Sequence, residues 1–450
     1  MSYFSVLKSK LTPAAMMIVV LMLATAYSSA DVITNWNLIT VSATKTGGLN
    51  SNLASRVDAI EAIAVYDAVN AIQPIGPAYH YRTHAPRPSS AEAAAAQAAH
   101  DVLVYFFPGQ QAGLDANLTS TLSGIPDGLA KLNGRTIGSA AAADILALRS
   151  SDGSNPDVPY PATGLTGVGQ WRPTPPAFAP GINSQWGFVT PFLIREGSEF
   201  RPPAPPAVGS FRYNQALAEV KTLGSATSVV RTADQTHIAQ FYKQDAELLV
   251  NEAARLLATS RGTSLKQNAL IFGLVDIAIA DARIAIWDAK YTYKFWRPVT
   301  ALNANPDGAV TNNYLAWQPL IATPPHPEYP SGHSGTVSAG AEILKEFFGD
   351  FNTLTLHTTT AGEPPRTVTR ISQIAEENGL SRIYGGIHYS FANHEGQRLG
   401  RKVAAEVLRK ALHEKNHEGR GIDDDDDDSG HDRRRENDYR FDRDRDHGRD

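Results

Sequence analysis

Residues 264–290 form a long segment that would be apolar on nearly every face of a helix. Its apolar side chains include Leu270, Phe272, Val275, Ile277, Ile279, Ile284 and Ile286. A helix that is apolar all round is normally enclosed by other helices, because it has no polar face to present to water. The segment therefore predicts a helical protein with one deeply buried central helix.

Apolar residues also recur at three- and four-residue spacing in much of the remaining chain, which is the pattern of helices with one buried face. The segments with this spacing are 50–73, 91–107, 110–123, 128–149, 212–224, 231–260, 334–349 and 393–413. Ser89 and Glu92 form a capping-box pattern that opens the alanine-rich segment. Alternation typical of strands is scarce, so the predicted fold class is all-α.

Prolines and glycines separate these helical segments into two groups. Residues 151–210 are rich in both, which predicts a long irregular connection. We expect an N-terminal helical half over 31–150 and a C-terminal helical bundle over 211–422. The chain of 450 residues is long enough for one large or two ordinary domains with sizeable cores.

The N-terminal end has the pattern of an export signal. Lys8 and Lys10 precede an apolar run over 13–26, and the small residues Ser28 and Ala30 follow it. We predict a signal peptide over 1–30 with cleavage after Ala30; an uncleaved single-pass anchor is the alternative. The mature protein is then expected to be secreted or periplasmic, with no stable membrane insertion.

The C-terminal end, residues 423–450, begins with consecutive aspartates and continues as mixed arginine and aspartate. Its two aromatic residues bury too little surface to offset chain ordering, which predicts a disordered tail; a role in collecting Ca²⁺ or adhering to surfaces is the alternative. The net charge of −5 makes no general case for nucleic-acid binding. The absence of cysteine excludes disulfides, thiolate metal sites and cysteine nucleophiles.

Three short segments of the C-terminal half concentrate cations, histidines and glycines, and the first runs from Lys290 to Pro298. Seven helical residues rotate by about 700°, so we expect Lys290 and Arg297 on nearly one helix face. Pro298 is expected to end the helix at Arg297. Two cations there suit an oxyanion; a solvated basic face that includes Lys294 is the alternative.

The second segment is Ser331-Gly332-His333, which leads into a helix predicted from Ser334. Ser331 supplies a hydroxyl donor, and Gly332 lets the backbone approach a ligand closely. The helix start presents unpaired N–H groups that attract anions. His333 at this position is suited to act as an acid or a base. A serine-capped helix with an incidental histidine is the alternative.

The third segment runs from Arg382 to His388. A separation of six residues points the two side chains to different sides of an uninterrupted helix. Gly385 and Gly386 supply a bend that brings both to one point. The spacing of His388 and His394 does not match a zinc-binding motif. A structural histidine is the alternative.

In this order and at these spacings, the three segments resemble the three-part signature of the vanadium-dependent haloperoxidase and type 2 phosphatidic acid phosphatase superfamily. The resemblance extends over roughly residues 31–415 and is greatest to bacterial exported haloperoxidase-like proteins. Residues 35–37, 67–70 and 287–290 support it. The family fold consists of two packed halves that resemble four-helix bundles, which agrees with the all-α prediction.

The resemblance implies a pocket for a tetrahedral oxyanion, which is vanadate or, in the same site, phosphate. The residues expected to bind its oxygens are Lys290, Arg297, Ser331, the backbone N–H of Gly332, and Arg382. The resemblance also implies that His388 bonds vanadium through a ring nitrogen and that His333 is the acid–base residue. Trp287 and Trp296 are expected to line the pocket wall; ordinary core aromatics are the alternative.

His326, seven residues before His333, corresponds to a family position that faces the pocket. Bromide-preferring members carry histidine there, whereas fungal chloroperoxidases carry phenylalanine. We therefore expect bromide to be oxidised in preference to chloride. The alternative is that His326 only caps a proline-rich turn.

One position departs from the family pattern. Relatives commonly carry aspartate four residues after the ligand histidine, where it anchors the arginine or raises the basicity of the histidine. This chain has Ala392 at that position. We expect either that Glu395 substitutes for the aspartate or that the site is weaker.

The leading interpretation is a vanadate-dependent haloperoxidase that oxidises halide with hydrogen peroxide to hypohalous acid, which then halogenates a small organic acceptor. The second is a soluble exported acid phosphatase, in which His388 forms a phosphohistidine and His333 protonates the leaving group. The third is a protein that binds phosphate or vanadate without turning it over. Helical proteins of this type often associate, so a homo-oligomer is an open expectation.

Overall fold

The computed structural model describes residues 31–160, 167–310, 314 and 316–413. Within this part of the chain helices dominate, and strands occur as one antiparallel pair. The helices are α1 Val32–Thr46, α2 Ser51–Ile72, α3 Ala91–Phe106, α4 Gln111–Ser123, α5 Leu129–Arg149, α6 Phe211–Leu223, α7 Ala233–Phe241, α8 Ala246–Arg261, α9 Leu265–Tyr293, α10 Pro298–Ala301, α11 Gly332–Phe348, α12 Ile371–Tyr384 and α13 Ser390–His413. The strands are β1 Phe351–Leu356 and β2 Arg366–Arg370. The all-α prediction is confirmed.

Helix α9 is the buried centre of the protein, as its apolar pattern predicts. Ser264 caps its start by accepting the backbone N–H of Gln267, whose side chain binds back to the cap. Residues 268–287 are buried without a break, and the helix packs against α2, α11 and α13. Helix α9 therefore connects the N-terminal and C-terminal helices through one shared core.

The N-terminal helices α2, α3 and α5 pack closely because their contact surfaces carry small residues. Gly138 of α5 lies so near α3 that a Cβ atom there would be 2.3 Å from the carbonyl oxygen of Ala94. Only glycine permits this approach, so the alanine-rich face of α3 is matched by glycine on α5.

In the C-terminal half, α11 and α13 pack against each other and against α9. A Cβ atom on Gly396 of α13 would lie 2.5 Å from the carbonyl oxygen of Ser331. The start of α11 therefore rests directly on α13, which holds residues 331–333 close to the chain that enters α13.

The structure differs from the predicted helices in several places. The helix predicted over 231–260 is two helices, α7 and α8, because the chain breaks at residues 242–245. Carbonyl groups freed by this break meet Arg382 and His333. Helices α1 and α12 and the β1–β2 pair were not predicted. The α3 cap is Ser90, whose side chain accepts the N–H of Ala93, so the capping box at Ser89 is wrong by one residue.

The segment over 151–210 is fastened to the central helix. In its described part, helical structure is limited to the 3-10 turn Trp186–Phe188. The buried carboxylate of Asp281 in α9 accepts three consecutive backbone N–H groups from residues 192–194 at 2.7–2.9 Å. The boundaries of the two halves and of this connection stay predictions.

The predicted signal peptide over 1–30 and the predicted tail over 423–450 lie outside the described residues. Among the helices that are described, none combines the length and the apolar character needed to cross a membrane.

Candidate oxyanion site

The predicted site residues of the C-terminal half come together from five parts of the chain in one buried cluster, which is the place of the oxyanion pocket that the resemblance implies. They are Lys290 in the last turn of α9, Arg297 between α9 and α10, Ser331 and Gly332 at the start of α11, Arg382 in the last turn of α12, and His388 between α12 and α13. All of them are buried. Charged side chains are rarely buried to this extent without partners, so their contacts decide what the pocket is suited to bind.

Lys290 and Arg297 reach the pocket by a different route from the predicted one. Helix α9 ends at Tyr293, since Lys294 adopts the left-handed conformation with φ of 48°. Arg297 follows in an extended conformation, and Pro298 opens α10 instead of ending α9. The prediction that both cations share one helix face is wrong, because the chain turns at Lys294 before it reaches Arg297.

Arg297 lies between two imidazole rings. Its Nη1 atom is 3.0 Å from Nε2 of His388, and its Nη2 atom is 3.0 Å from Nδ1 of His326. Guanidinium nitrogens only donate hydrogen bonds, so Nε2 of His388 is an unprotonated acceptor. Nδ1 of His326 also lies 3.1 Å from the carbonyl oxygen of Pro327, so the two contacts of this nitrogen require opposite protonation states. Burial lowers the pKa of Arg297 to about 10, although the nearby Glu328 carboxylate opposes this effect. Arg297 is therefore charged at neutral pH.

Lys290 ties the end of α9 to the chain that precedes α11. Its Nζ atom donates to the carbonyl oxygens of Pro327 at 2.7 Å and Glu328 at 3.0 Å. The same ammonium lies 5.8 Å from the centre of the Trp287 ring. Burial and the neighbouring Arg297 hold the pKa of Lys290 well below its usual value.

Glu328 is a site residue that the sequence analysis missed. Its Oε1 atom lies 2.8 Å from Nδ1 of His388 and accepts the backbone N–H of Tyr389 at 3.0 Å. The side chain is fully buried, and burial raises the pKa of its carboxyl to about 8 while Arg297 opposes the rise. The available signal was a single acidic residue in the apolar, proline-rich stretch before Ser331.

The structure corrects the expectation about Glu395. The Glu395 carboxylate accepts a hydrogen bond from Nε of Arg398 at 2.7 Å on α13. Ala392 is buried among aromatic rings that include Tyr389 and Phe391. The expectation that Glu395 substitutes for the family aspartate is wrong, because its partner is Arg398 and the carboxylate that reaches His388 comes from Glu328.

Arg382 and His388 meet because the chain reverses at two glycines, as predicted. Gly385 caps α12 and Gly386 has φ of 82°, after which the N–H of His388 donates to the carbonyl oxygen of Arg382 at 3.3 Å. Burial and then Arg297 lower the pKa of Arg382 to about 9. Its Nη1 atom donates to the carbonyl oxygen of Tyr242 at 3.4 Å. Its Nε atom has no partner among the described residues.

Ser331 and Gly332 form the start of α11 at the pocket. The Oγ atom of Ser334 donates to Oγ of Ser331 at 2.7 Å, so the Ser331 hydroxyl can still donate its own hydrogen. A Cβ atom on Gly332 would lie 3.9 Å from Cε of Lys290. The backbone of Gly332 therefore faces the side chain of Lys290, which the family resemblance implies would bind the oxyanion.

His333 is partly exposed, unlike the other charged and imidazole groups of the pocket. Its Nε2 atom lies 3.2 Å from the carbonyl oxygen of Gln244, an acceptor, so Nε2 carries the ring proton. Burial and the cations Arg382 and Arg283 hold its pKa well below the usual value. His333 is therefore neutral near pH 7, with Nδ1 unprotonated.

The two tryptophans expected to line the pocket occupy different surroundings. The Trp287 ring lies 5.0 Å from the ring of His326. Trp296 belongs to a separate aromatic cluster. Its other aromatic members are Tyr213, Phe295, Tyr329, Tyr389 and Phe391. Trp296 is thus a core aromatic, which was the alternative to a place in the pocket wall beside Trp287.

The charges and free donors of the pocket suit an anion. Lys290, Arg297 and Arg382 supply three buried basic side chains, and the Glu328 carboxyl is in contact with His388. Arg382 Nε and Trp287 Nε1 are buried donors that lack a partner among the described residues. Leaving such donors unsatisfied is costly unless a ligand accepts from them. The residues therefore fit a tetrahedral oxyanion, and His388 offers vanadate an unprotonated ring nitrogen.

Comparison with known sequences identifies this half of the chain. The family described as VCPO second helical-bundle domain matches residues 270–416, which include all the histidines and cations of the pocket. Vanadium chloroperoxidase from Curvularia inaequalis is 29% identical over 124 residues. That match covers 25% of this chain and 19% of the relative, so it spans about a fifth of the relative's length.

Solved structures extend the likeness to most of the chain. The first bacterial vanadium-dependent iodoperoxidase matches with a TM-score of 0.73 at 25% identity, over 84% of this chain and 95% of that one. The apo form of a bacterial vanadium-dependent chloroperoxidase matches the fold with a TM-score of 0.65 at 16% identity, over 81% of this chain and 94% of that one. These matches confirm the resemblance to vanadium-dependent haloperoxidases that the three-part signature predicts.

Proposed function

We propose that the protein is a vanadate-dependent haloperoxidase, which oxidises halide with hydrogen peroxide to hypohalous acid. The observation that carries the proposal is the placement of three buried basic side chains around His388, whose Nε2 is unprotonated. Such a pocket neutralises an oxyanion and offers a nitrogen ligand to its metal. The named relatives are an iodoperoxidase and chloroperoxidases, which favours peroxidase chemistry over phosphate-ester hydrolysis.

The pocket residues divide into charge-neutralising groups and one metal ligand. Lys290, Arg297 and Arg382 would neutralise the oxyanion, while Ser331 and the N–H of Gly332 would donate hydrogen bonds to its oxygens. The ligand would be Nε2 of His388. Vanadate, when bound, supplies a Lewis acid that activates hydrogen peroxide toward halide.

His333 is proposed to move the protons. Oxidation of halide by hydrogen peroxide gives hypohalous acid and water and consumes one proton, so a proton-passing group is needed at the pocket. The Nε2 hydrogen of His333 faces the carbonyl oxygen of Gln244, which leaves Nδ1 as the proton acceptor. In this role Nδ1 takes a proton from entering hydrogen peroxide and returns it to the departing oxygen.

Bromide is proposed as the favoured halide because of His326. This ring contacts Arg297 through Nδ1 and packs 5.0 Å from Trp287, so a polar, hydrogen-bonding group stands where an apolar ring would keep the pocket dry. Chloride is harder to oxidise than bromide. A polar ring in contact with Arg297 leaves less of the guanidinium charge to act on the bound oxyanion, which lowers the oxidising power of the site.

The test uses the purified full-length chain. It is incubated with orthovanadate, bromide and hydrogen peroxide while bromination of a phenolic dye, standing for the small organic acceptor, is followed. A second reaction contains p-nitrophenyl phosphate and no vanadate, and His388→Ala is the control in both. Bromination that requires vanadate and peroxide supports the proposal. Phosphate-ester hydrolysis without bromination would assign the phosphatase, and binding with neither reaction would leave a binding protein.

We also propose a secreted or periplasmic location for the mature protein, because residues 1–30 carry a basic, apolar and small-residue pattern. N-terminal sequencing of the protein recovered from the periplasm or medium should begin at Asp31. Recovery only from membranes with Met1 intact would contradict this. Light scattering on the same material measures whether it is a homo-oligomer.

A further inference from the structure

We propose that Glu328 is a positioning residue, which holds the His388 imidazole so that an unprotonated Nε2 faces the oxyanion pocket. This inference deepens the proposed function and rests on the assignment of His388 as the ligand. Glu328 itself touches neither the oxyanion nor the reacting atoms in this role. It acts through the ring that it orients.

The contact with His388 is short, buried and shared with the next residue. Oε1 of Glu328 lies 2.8 Å from Nδ1 of His388 and accepts the N–H of Tyr389 at 3.0 Å. An oxygen that receives the Tyr389 amide is an acceptor, so the hydrogen on the facing imidazole nitrogen sits on Nδ1. One carboxylate oxygen therefore holds both the ring and the backbone that follows it.

The other ring nitrogen has the opposite kind of partner. Nε2 of His388 lies 3.0 Å from Nη1 of Arg297, which only donates. Turning the ring over would place its N–H against the guanidinium and its bare nitrogen against the carboxylate. Both contacts would be lost, so the two partners together select one orientation and one tautomer.

Glu328 is rigid enough to perform this task. Its backbone N–H donates to the carbonyl oxygen of Phe295 at 2.9 Å, and its own carbonyl oxygen accepts from Nζ of Lys290 at 3.0 Å. Its side chain is fully buried. The residue that orients His388 is therefore fixed to the end of α9 by the same lysine that reaches the pocket.

Among the described residues, neither Glu395 nor Ala392 supplies a second carboxylate to His388. Glu395 is bound to Arg398, and Ala392, four residues after His388, contributes only a methyl group among aromatic rings. Outer partners of a ligating histidine commonly fix its tautomer and ring orientation, and their loss weakens metal affinity about 10–100-fold. That range sets the expected effect.

The experiment titrates the full-length apo protein with orthovanadate by calorimetry and records the ring ¹⁵N resonances of His388, assigned by their loss in His388→Gln. Glu328→Gln keeps an acceptor oxygen, whereas Glu328→Met has similar volume and none. Glu395→Gln is the matched control. We expect the Met variant to lose vanadate affinity about 10–100-fold and its single tautomer. The Gln variant should keep the tautomer of His388 and lose less vanadate affinity than the Met variant. The control should match the unmodified protein in both measurements.

Unchanged vanadate affinity and an unchanged tautomer in Glu328→Met would overturn the proposal. If that variant does not fold, Glu328→Asp replaces it, because shortening the side chain withdraws the carboxylate from Nδ1. Affinity should then rank Gln above Asp; the reverse order would show that charge, not the hydrogen bond, matters. Failure of the unmodified protein to oxidise bromide while it binds vanadate would contradict the proposed function alone.

Discussion

The Nη1 atom of Arg297 lies 3.0 Å from Nε2 of His388, the nitrogen proposed to bond vanadium. The same guanidinium holds Nδ1 of His326 at 3.0 Å. One fully buried cation thus contacts a ring nitrogen of each of two imidazoles. An oxyanion that binds Arg297 is thereby placed within reach of His388.

Replacement of Ala392 by aspartate should weaken the protein instead of improving the site. Ala392 is fully buried against aromatic rings, and Glu328 already supplies the carboxylate that His388 needs. Burying an unpartnered carboxylate there should lower the free energy of unfolding by about 2–4 kcal/mol, measured by urea denaturation. Ala392→Asn introduces a side chain of similar volume to aspartate but without charge, so its free energy of unfolding should fall less. A gain in bromide oxidation by Ala392→Asp would contradict this.

Replacement of His333 by alanine should separate turnover from binding. Its Nε2 contacts a carbonyl oxygen of the 242–245 segment, and the proposed metal ligand is His388. We expect orthovanadate affinity to change little and bromide turnover to fall roughly 10²–10⁴-fold, the usual contribution of a general acid–base group. Calorimetry and steady-state kinetics on one preparation measure both. Loss of vanadate binding would make His333 a part of the binding site.

Replacement of His326 by phenylalanine should shift halide preference toward chloride. The change removes the ring nitrogen that Arg297 contacts through Nη2 and leaves an apolar ring beside Trp287. The measurement is the ratio of kcat/KM for bromide to that for chloride, which should fall in the variant. His326→Gln keeps a polar side chain, so this ratio should fall less in that variant. Equal rates on the two halides in the unmodified protein would remove the basis for this prediction.

Much of the fold follows from local patterns in the sequence, since the apolar faces of residues 264–290 require an enclosing bundle. The pocket residues Arg382 and His388 are also predictable together, because Gly385 and Gly386 permit the reversal between them. The contact between Glu328 and His388 was not predictable, because it joins residues 60 apart through tertiary packing.

Two further differences have causes that the spacing of apolar residues does not register. Lys294 adopts the left-handed conformation, which residues other than glycine rarely adopt, and this turn moves Arg297 off the α9 helix face. The break over 242–245 interrupts a continuous helical pattern, since carbonyl groups in it meet Arg382 and His333 from another part of the fold. Both depend on long-range contacts, which a single sequence does not display.

Replacement of Glu61 by glutamine should make stability less sensitive to pH. Burial, and then Asp276, raise the pKa of the Glu61 carboxyl from 4.5 to about 8. Between these values the folded protein binds more protons than the unfolded chain, so its stability falls as pH rises, by at most about 1.4 kcal/mol per unit. The stability gain of Glu61→Gln should therefore grow from pH 5 to pH 8 in urea denaturation. The exposed Glu346→Gln is the control, and parallel pH profiles for Glu61→Gln and the unmodified protein would contradict the prediction.

The central claim is that this buried pocket binds vanadate through His388, and a calorimetric titration of the full-length apo protein with orthovanadate tests it most directly. The unmodified protein should bind one equivalent, and His388→Ala should lose affinity by at least about 100-fold, because the variant lacks the ring nitrogen proposed to bond the metal. Equal affinity in the two proteins would contradict the claim.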